Sequence, residues 1–305
     1  MRILFMGTPE IAAYCLEQLI QAGHEICGVF TQADKPVGRK QVLTPPPVKK
    51  VAEQHSIAVY QPKTLKDGIA EQQIAELKPE LCVVVAYGKL LPSTILKLPT
   101  KGCINLHVSM LPKYRGSAPV QWAILNGEKE TGVSIMYLDE GMDTGDVLAT
   151  YPIAIGENET SGELFEKVTE QGAKLLLETI TKISQGTAVA TPQDHTQATL
   201  APMLKKEMAE FTFAQPAQKL HNLVRGMNPW PVAYFLYQQK KVKVTRSLLQ
   251  PQQGKEGEIL SINPLIVACQ QDAILLEEVI PEGKKPMTGS AWAMGRRFQI
   301  GDFLE

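Results

Sequence analysis

Two polar residues interrupt an otherwise apolar run in "GCINLHVSMLP", residues 102–112. Such a run predicts a buried strand, and alternate side chains of a strand share a face. Asn105 and His107 therefore project to one side, with Leu106 and Val108 on the other. An amide can donate to a carbonyl oxygen that gains negative charge, and an imidazole can stabilise the same oxygen or move a proton. A carboxylate would hold such an imidazole in place, and the acidic turn "DEGMDTGD", residues 139–146, offers four acids. Asp143 is the favoured one, because Gly141 and Gly145 bracket it and allow a turn toward a crevice. The trio Asn105, His107 and Asp143 suits transfer of an acyl-type group to an amine. A lone strand histidine is more often a satisfied core residue, and an acidic turn is usually only solvated. It is their combination that points to catalysis.

Other chemistries find less support. The turn lacks EF-hand spacing and has no histidine or cysteine beside its acids, so no metal is expected. No G-x-S-x-G elbow or S-x-x-K motif is present, which leaves a serine nucleophile unsupported and makes Ser109 a turn residue. "MGTPE" after the first apolar run has only Gly7 where a dinucleotide loop needs three glycines, so a nicotinamide enzyme is disfavoured.

The elements that must position the trio follow from periodicity. "RILFMG" reads as a buried strand, with Thr8 as cap and Pro9 at the first position of a helix that Gly23 closes. "HEICGVFT" is a second strand, completing a strand–helix–strand unit that predicts a parallel sheet. "IAVYQP", "LCVVVA", "GCINLHV" and "GVSIMYL" continue it, with helices over 65–77, 119–126 and 160–184. The fold class is α/β, a Rossmann-like doubly wound mostly parallel sheet. Asn105 and His107 lie at a strand's carboxyl end, where such sheets place their ligand crevice. Small, polar, proline-punctuated residues read as a linker, after which a helix over 215–226 and short alternating strands predict a small antiparallel β-barrel, OB-like. The expected domains are 1–188 and 207–305, joined by 189–206. Trp230 is expected in the barrel core.

The chain of 305 residues is 44% hydrophobic and 21% charged, a globular composition, and no apolar stretch is long enough for a bilayer span. Five cysteines without paired spacing suggest core thiols in a reducing compartment, hence a cytoplasmic protein. Net charge is −1 but uneven: residues 1–204 carry 18 basic and 22 acidic residues, while 211–255 hold seven basic and no acidic ones. On charge alone that basic stretch reads as a solvated face, though it could attract a polyanion.

The stretch "CINLHVSMLPKYRGSAPVQWAILNGEKETGVSIMYLDEGMDTGDVL" resembles the formyltransferases that use 10-formyltetrahydrofolate. The Asn-x-His pair, the S-x-L-P turn, the R-G-x-x-P segment and the Asp-Thr-Gly carry the likeness. It implies that Asn105, His107 and Asp143 are catalytic, and that Ser109, Met110, Leu111 and Pro112, with Tyr87, Gly88 and Leu90 of "VVAYGKLLP", line the folate site. "GTPEIAA", "VFTQADKPVGRK" and "NPWPVAY" make nearly the whole chain similar to those members that formylate methionine carried by initiator tRNA. That resemblance implies a long loop engaging the tRNA acceptor end through Lys35, Arg39 and Lys40, and phosphate contacts from Lys205, Lys206, Lys241 and Lys243. It further implies a monomer that takes 10-formyltetrahydrofolate as formyl donor and methionyl initiator tRNA as acceptor, away from membranes. Two alternatives stand beside it. One is a sibling formyltransferase acting on a small amine, such as a ribonucleotide precursor or a nucleotide sugar, which needs no basic barrel. The other is a non-catalytic tRNA- or folate-binding protein, for which His107 would be dispensable.

Overall fold

The computed structural model describes residues 1–38 and 40–304. The chain forms two compact units that interleave in sequence. The first comprises Met1–Gly116, Gly132–Ile153 and Lys167–Leu200; the second comprises Ser117–Thr131, Ala154–Glu166 and Ala201–Glu305.

In chain order the elements up to residue 185 are β1 (Arg2–Gly7), α1 (Glu10–Gln21), β2 (Glu25–Phe30), β3 (Lys35–Val37), β4 (Val42–Thr44), α2 (Pro47–Gln54), β5 (Val59–Tyr60), α3 (Ile69–Leu77), β6 (Leu81–Val85), α4 (Ser93–Leu96), β7 (Cys103–His107), β8 (Arg115–Gly116), α5 (Pro119–Leu125), β9 (Glu130–Tyr137), β10 (Val147–Ala154) and α6 (Ser161–Gln185). The main sheet of the first unit has seven strands in the order β10-β9-β7-β6-β1-β2-β5. β1 pairs in parallel with β2 and β6, and β6 with β7, whereas β9 runs antiparallel to β7. β6 is buried along its whole length, as its unbroken apolar sequence predicts. Strand order reverses between β1 and β6, the switch point at whose carboxyl ends such sheets bind ligands, and β7 lies next to β6.

Several local expectations are corrected. Thr8 does not cap α1; its hydroxyl donates to the Tyr87 carbonyl at 3.3 Å, and Pro9 holds the N-cap position without a side-chain bond. Gly7 is needed for close packing, since a Cβ there would lie 2.6 Å from the Ala12 Cβ. The loop after β2 contains a hairpin, in which β3 and β4 pair antiparallel with Lys35 opposite Thr44. Its apolar Val37, Val42 and Leu43 are exposed. α2 escaped sequence analysis because "PPPVKK" looks like a loop, although a proline at the first helical position starts a helix well.

The elements after residue 185 are β11 (Leu200–Ala201), α7 (Ala217–Gly226), β12 (Tyr234–Tyr237), β13 (Lys240–Gln250), β14 (Ile259–Ile262), β15 (Leu265–Ala268), β16 (Ala273–Pro281), β17 (Met287–Thr288) and α8 (Gly289–Arg296), those from α7 onward belonging to the second unit. Its antiparallel sheet runs β12-β13-β16-β15-β14, with β17 on β16. Along β13, Val242 and Val244 are buried while Lys241 and Lys243 are exposed, the alternation that a strand with one wet face requires. Phe211, Phe213, Phe235 and Trp292 meet edge-on or tilted in the core, at centroid distances of 5.2–5.9 Å. Trp230 is not in that core and is 51% exposed. Asn228 anchors the same turn instead, its carbonyl accepting from Ser161 Oγ and Gly162 N and its amide donating to the Thr245 carbonyl. All five cysteines are free, and burial pushes the Cys15 and Cys269 thiols up to about 12.

Candidate active site

β7 sets Asn105 and His107 two positions apart on one face. On the other face Leu106 packs against Gly172 of α6, where a Cβ would lie 2.9 Å from a Leu106 methyl. His107 is buried, with Nε2 2.9 Å from the Tyr114 carbonyl and Nδ1 3.7 Å from Asp143 Oδ2. A carbonyl only accepts, so Nε2 carries a hydrogen. Nδ1 is therefore the nitrogen open to proton exchange, and it faces a carboxylate across a gap slightly longer than a hydrogen bond. Asn105 is half-buried at the same edge, and its amide has no hydrogen-bond partner among the described residues.

The turn bearing Asp143 has its own logic. Asp139 Oδ1 accepts from Gly141 N at 3.0 Å and from Thr144 Oγ1 at 2.6 Å, closing the turn locally. The left-handed residue is Asp143 itself, at φ 54°, rather than either flanking glycine. Aspartate tolerates this region better than most residues, at a cost of about 1–2 kcal/mol for an ordinary side chain. Gly145 supplies space, because a Cβ there would overlap the Tyr137 carbonyl. Asp143 Oδ2 accepts from Gly116 N at 2.8 Å. One tripeptide thus serves both partners: the Tyr114 carbonyl fixes the imidazole, and the Gly116 amide fixes the carboxylate.

Arg115, between them, and Gln193 went unnoticed in the sequence. Gln193 is buried, accepts from Arg115 Nε at 3.2 Å and Nη2 at 2.6 Å, and donates to the carbonyls of Asp143 at 3.0 Å and Gly145 at 2.7 Å. The stretch around it, read as a linker, is pinned to the first unit by Thr191 and Val147, which exchange backbone bonds of 2.8 and 2.9 Å. Arg115 carried a signal in its R-G-x-x-P motif. Gln193 carried none.

The other expected site residues divide. Ser109 is buried and its hydroxyl donates to the Lys113 carbonyl at 2.6 Å, so it shapes the turn. Its carbonyl accepts from Ser134 Oγ, which in turn accepts from Leu111 N. Met110 lies beside Gly132, and Pro112 follows Leu111 through a cis peptide bond. Tyr87 is buried; its carbonyl accepts from Gln32 Nε2 at 2.9 Å, and burial pushes its phenol up to about 12. Gly88, at φ 78°, and exposed Leu90 extend from the same strand end. Among the expected cations, Lys35 donates to Gln32 Oε1 at 2.8 Å, Lys40 is exposed and Arg39 lies outside the described residues. Those belong to the first unit. In the second, Lys205, Lys206 and Lys243 are exposed, and Lys241 lies 3.9 Å over the Tyr234 ring, a contact that raises its pKa.

No group of three or more histidine, cysteine or acidic residues among the described residues could hold a metal. No helix among them is long and apolar enough to cross a membrane. Two cavities of about 240 and 270 Å³ lie in the second unit, the first lined by His221, Arg225 and Ser247, the second by Gln218 and Asp272. Neither contains a member of the trio.

A mostly parallel sheet with helices, together with a second, antiparallel unit, places the chain in the α/β class. The chain belongs to the formyl transferase family: the profile of the formyl transferase domain matches residues 1–180, and that of the formyl transferase C-terminal domain matches 203–297. It is 44% identical over 308 residues to the methionyl-tRNA formyltransferase of Alkaliphilus oremlandii, covering 100% of this chain and 99% of that one. It is 45% identical to the methionyl-tRNA formyltransferase of Desulforamulus reducens, covering 100% and 98%. Among solved structures it is similar in fold to an N-formyltransferase from Helicobacter canadensis in complex with folinic acid and dTDP-3-aminofucose, at TM-score 0.70 and 20% identity, over 90% of this chain and 98% of that one.

Proposed function

We propose that this chain transfers the formyl group of 10-formyltetrahydrofolate to the α-amine of methionyl initiator tRNA, giving formylmethionyl-tRNA for translation initiation. One observation carries the chemistry: His107 faces Asp143 at 3.7 Å at the carboxyl end of β7, the strand that also carries Asn105 two positions earlier. The family and the full-length relatives carry the substrates.

The folate donor, when bound, supplies an activated formyl carbon. The chain has a fitting edge for it, because β6 and β7 are adjacent parallel strands, so Tyr87–Leu90 and Ser109–Pro112 leave the sheet side by side. With the Ser109 side chain tied into its turn, the surfaces left to a flat ring are main-chain groups, Leu90 and the Met110–Leu111 segment. Asn105 donates to the formyl oxygen as negative charge grows on it, a type of contact worth about 3–4 kcal/mol. The Nδ1–Asp143 pair takes the proton that the attacking amine gives up and returns it to the donor nitrogen as its bond to the formyl carbon breaks and tetrahydrofolate leaves. His107 is held too firmly by Tyr114 for Nε2 to take that role. Lys205, Lys206, Lys241 and Lys243 hold tRNA phosphates without reading sequence, and Lys35, Arg39 and Lys40 serve the acceptor end. The first unit carries catalysis and the loop for the acceptor end, and the second contributes the phosphate contacts.

The test is a direct comparison of acceptors with 10-formyltetrahydrofolate as donor. Charged initiator tRNA should be formylated with a kcat/KM orders of magnitude above that of a dTDP-amino sugar or an amino ribonucleotide. Preference for a small amine would remove the tRNA assignment and leave the trio intact.

A further inference from the structure

We propose that Gln193 is a positioning residue for the Asp143 carboxylate, acting from a strap that fastens both halves of the catalytic pair. This rests on the reading of Asp143 as the proton acceptor.

The orientation of the Gln193 amide is forced. Arg115 Nε and Nη2 only donate, so the atom 2.6 Å from Nη2 must be oxygen. The carbonyls of Asp143 and Gly145 only accept, so the atom facing them must be nitrogen. Both hydrogens of that nitrogen grip the two carbonyls that flank Thr144, in the turn where Asp143 adopts φ 54°. An unsupported left-handed aspartate would relax, and its carboxylate would swing away from Nδ1. The strap reaches the other half as well. Thr199 Oγ1 accepts from Tyr114 N at 2.8 Å, and the Thr199 carbonyl accepts from Arg115 N at 2.8 Å. Arg115 Nη2 also donates to His195 Nδ1 at 3.1 Å, which keeps the guanidinium in the plane that Gln193 needs. Residues 191–199 therefore splint the 143–147 turn to the 114–116 segment.

Gln193→Glu isolates the positioning role. It keeps an oxygen for Arg115 but replaces the amide donor with an oxygen that repels both turn carbonyls. Expected is a fall in kcat of about tenfold to a hundredfold, the loss that follows from a misplaced catalytic group. KM for folate donor and tRNA should stay within about twofold. The effect should vanish in the Asp143→Asn background, with the double variant no slower than Asp143→Asn alone. Gln193→Ala, with thermal melts of each variant, provides the same comparison if the glutamate destabilises the strap. Wild-type kcat in folded Gln193→Glu, or losses that multiply in the double variant, would overturn the proposal. Failure of the underlying reading looks different: Asp143→Asn alone would then retain its activity.

Discussion

Asp143→Asn removes one charge and almost nothing else. The replacement keeps an oxygen for the Gly116 amide, now 2.8 Å from Oδ2. With that oxygen kept in place the new NH₂ group takes the Oδ1 position, so the atom 3.7 Å from His107 Nδ1 is still an oxygen but an uncharged one. Asparagine also accepts φ 54° as readily as aspartate. Stability should therefore change by no more than about 0.5 kcal/mol, the range of undisturbing substitutions. Chemistry should suffer far more, because the pair loses the carboxylate charge that draws a proton to Nδ1 and accepts it. General base catalysis contributes about 10²–10⁴-fold, which at about 1.36 kcal/mol per tenfold is roughly 2.7–5.4 kcal/mol of barrier. Single-turnover formylation of methionyl-tRNA by rapid quench, with both substrates saturating, isolates this step. A thermal melt of the same preparation verifies the fold. Asp143→Ala supplies the contrast, since it loses the Gly116 bond and also the tolerance of aspartate and asparagine for φ 54°, so its melt should fall as well. A folded Asp143→Asn enzyme within about threefold of the wild-type rate would refute the assignment of Asp143, whatever the fate of Asn105.

Three further outcomes follow from particular contacts. Lys241→Ala/Lys243→Ala should weaken tRNA binding and reduce the magnitude of its log–log salt slope by about 2, leaving KM for the folate donor unchanged; an unaltered slope would move the phosphate contacts off β13. Gly145→Ala places a β-carbon on the Tyr137 carbonyl and should cost about 1–3 kcal/mol in denaturant unfolding, with kcat falling as the turn shifts; wild-type values for both would contradict the packing. His221 is held below its ordinary 6.5 mainly by burial, against the opposing pull of the Glu157 carbonyl. Below that value the unfolded chain binds more protons than the folded one, so stability is complete above about pH 6.5 and declines as acid reaches the folded group. His221→Gln should flatten that decline in melts taken across the acid range, and an unchanged slope would place it on another residue.

The trio could be read in the sequence because each member belongs to a local pattern. Strand alternation puts Asn105 beside His107, and an acidic glycine-rich turn advertises Asp143. The sheet was equally legible, since buried parallel strands such as Leu81–Val85 are unbroken apolar runs. What escaped had no local signature. Thr8 carries every mark of a cap, yet the Tyr87 carbonyl draws its hydroxyl away, and that carbonyl is contributed by the segment that follows β6, almost eighty residues later. Trp230 looks like core by size, but its turn is anchored through Asn228. Gln193 sits in a polar, proline-containing stretch whose composition matches a free linker, and only the fold brings Arg115 and two turn carbonyls around it. The turn glycines were expected to lend flexibility, whereas Gly145 lends room and Asp143 takes the unusual torsion itself.

The fastening by residues 191–199 sets where this protein can be divided. A fragment cut at the end of α6, after Gln185, would hold the complete main sheet and all three trio residues, and would look self-sufficient on a topology diagram. It would lack the clasp on the 143–147 turn and the bonds from Thr199 to the 114–116 segment. Exchange of C-terminal modules between such enzymes should therefore preserve chemistry only when the crossover falls beyond Thr199.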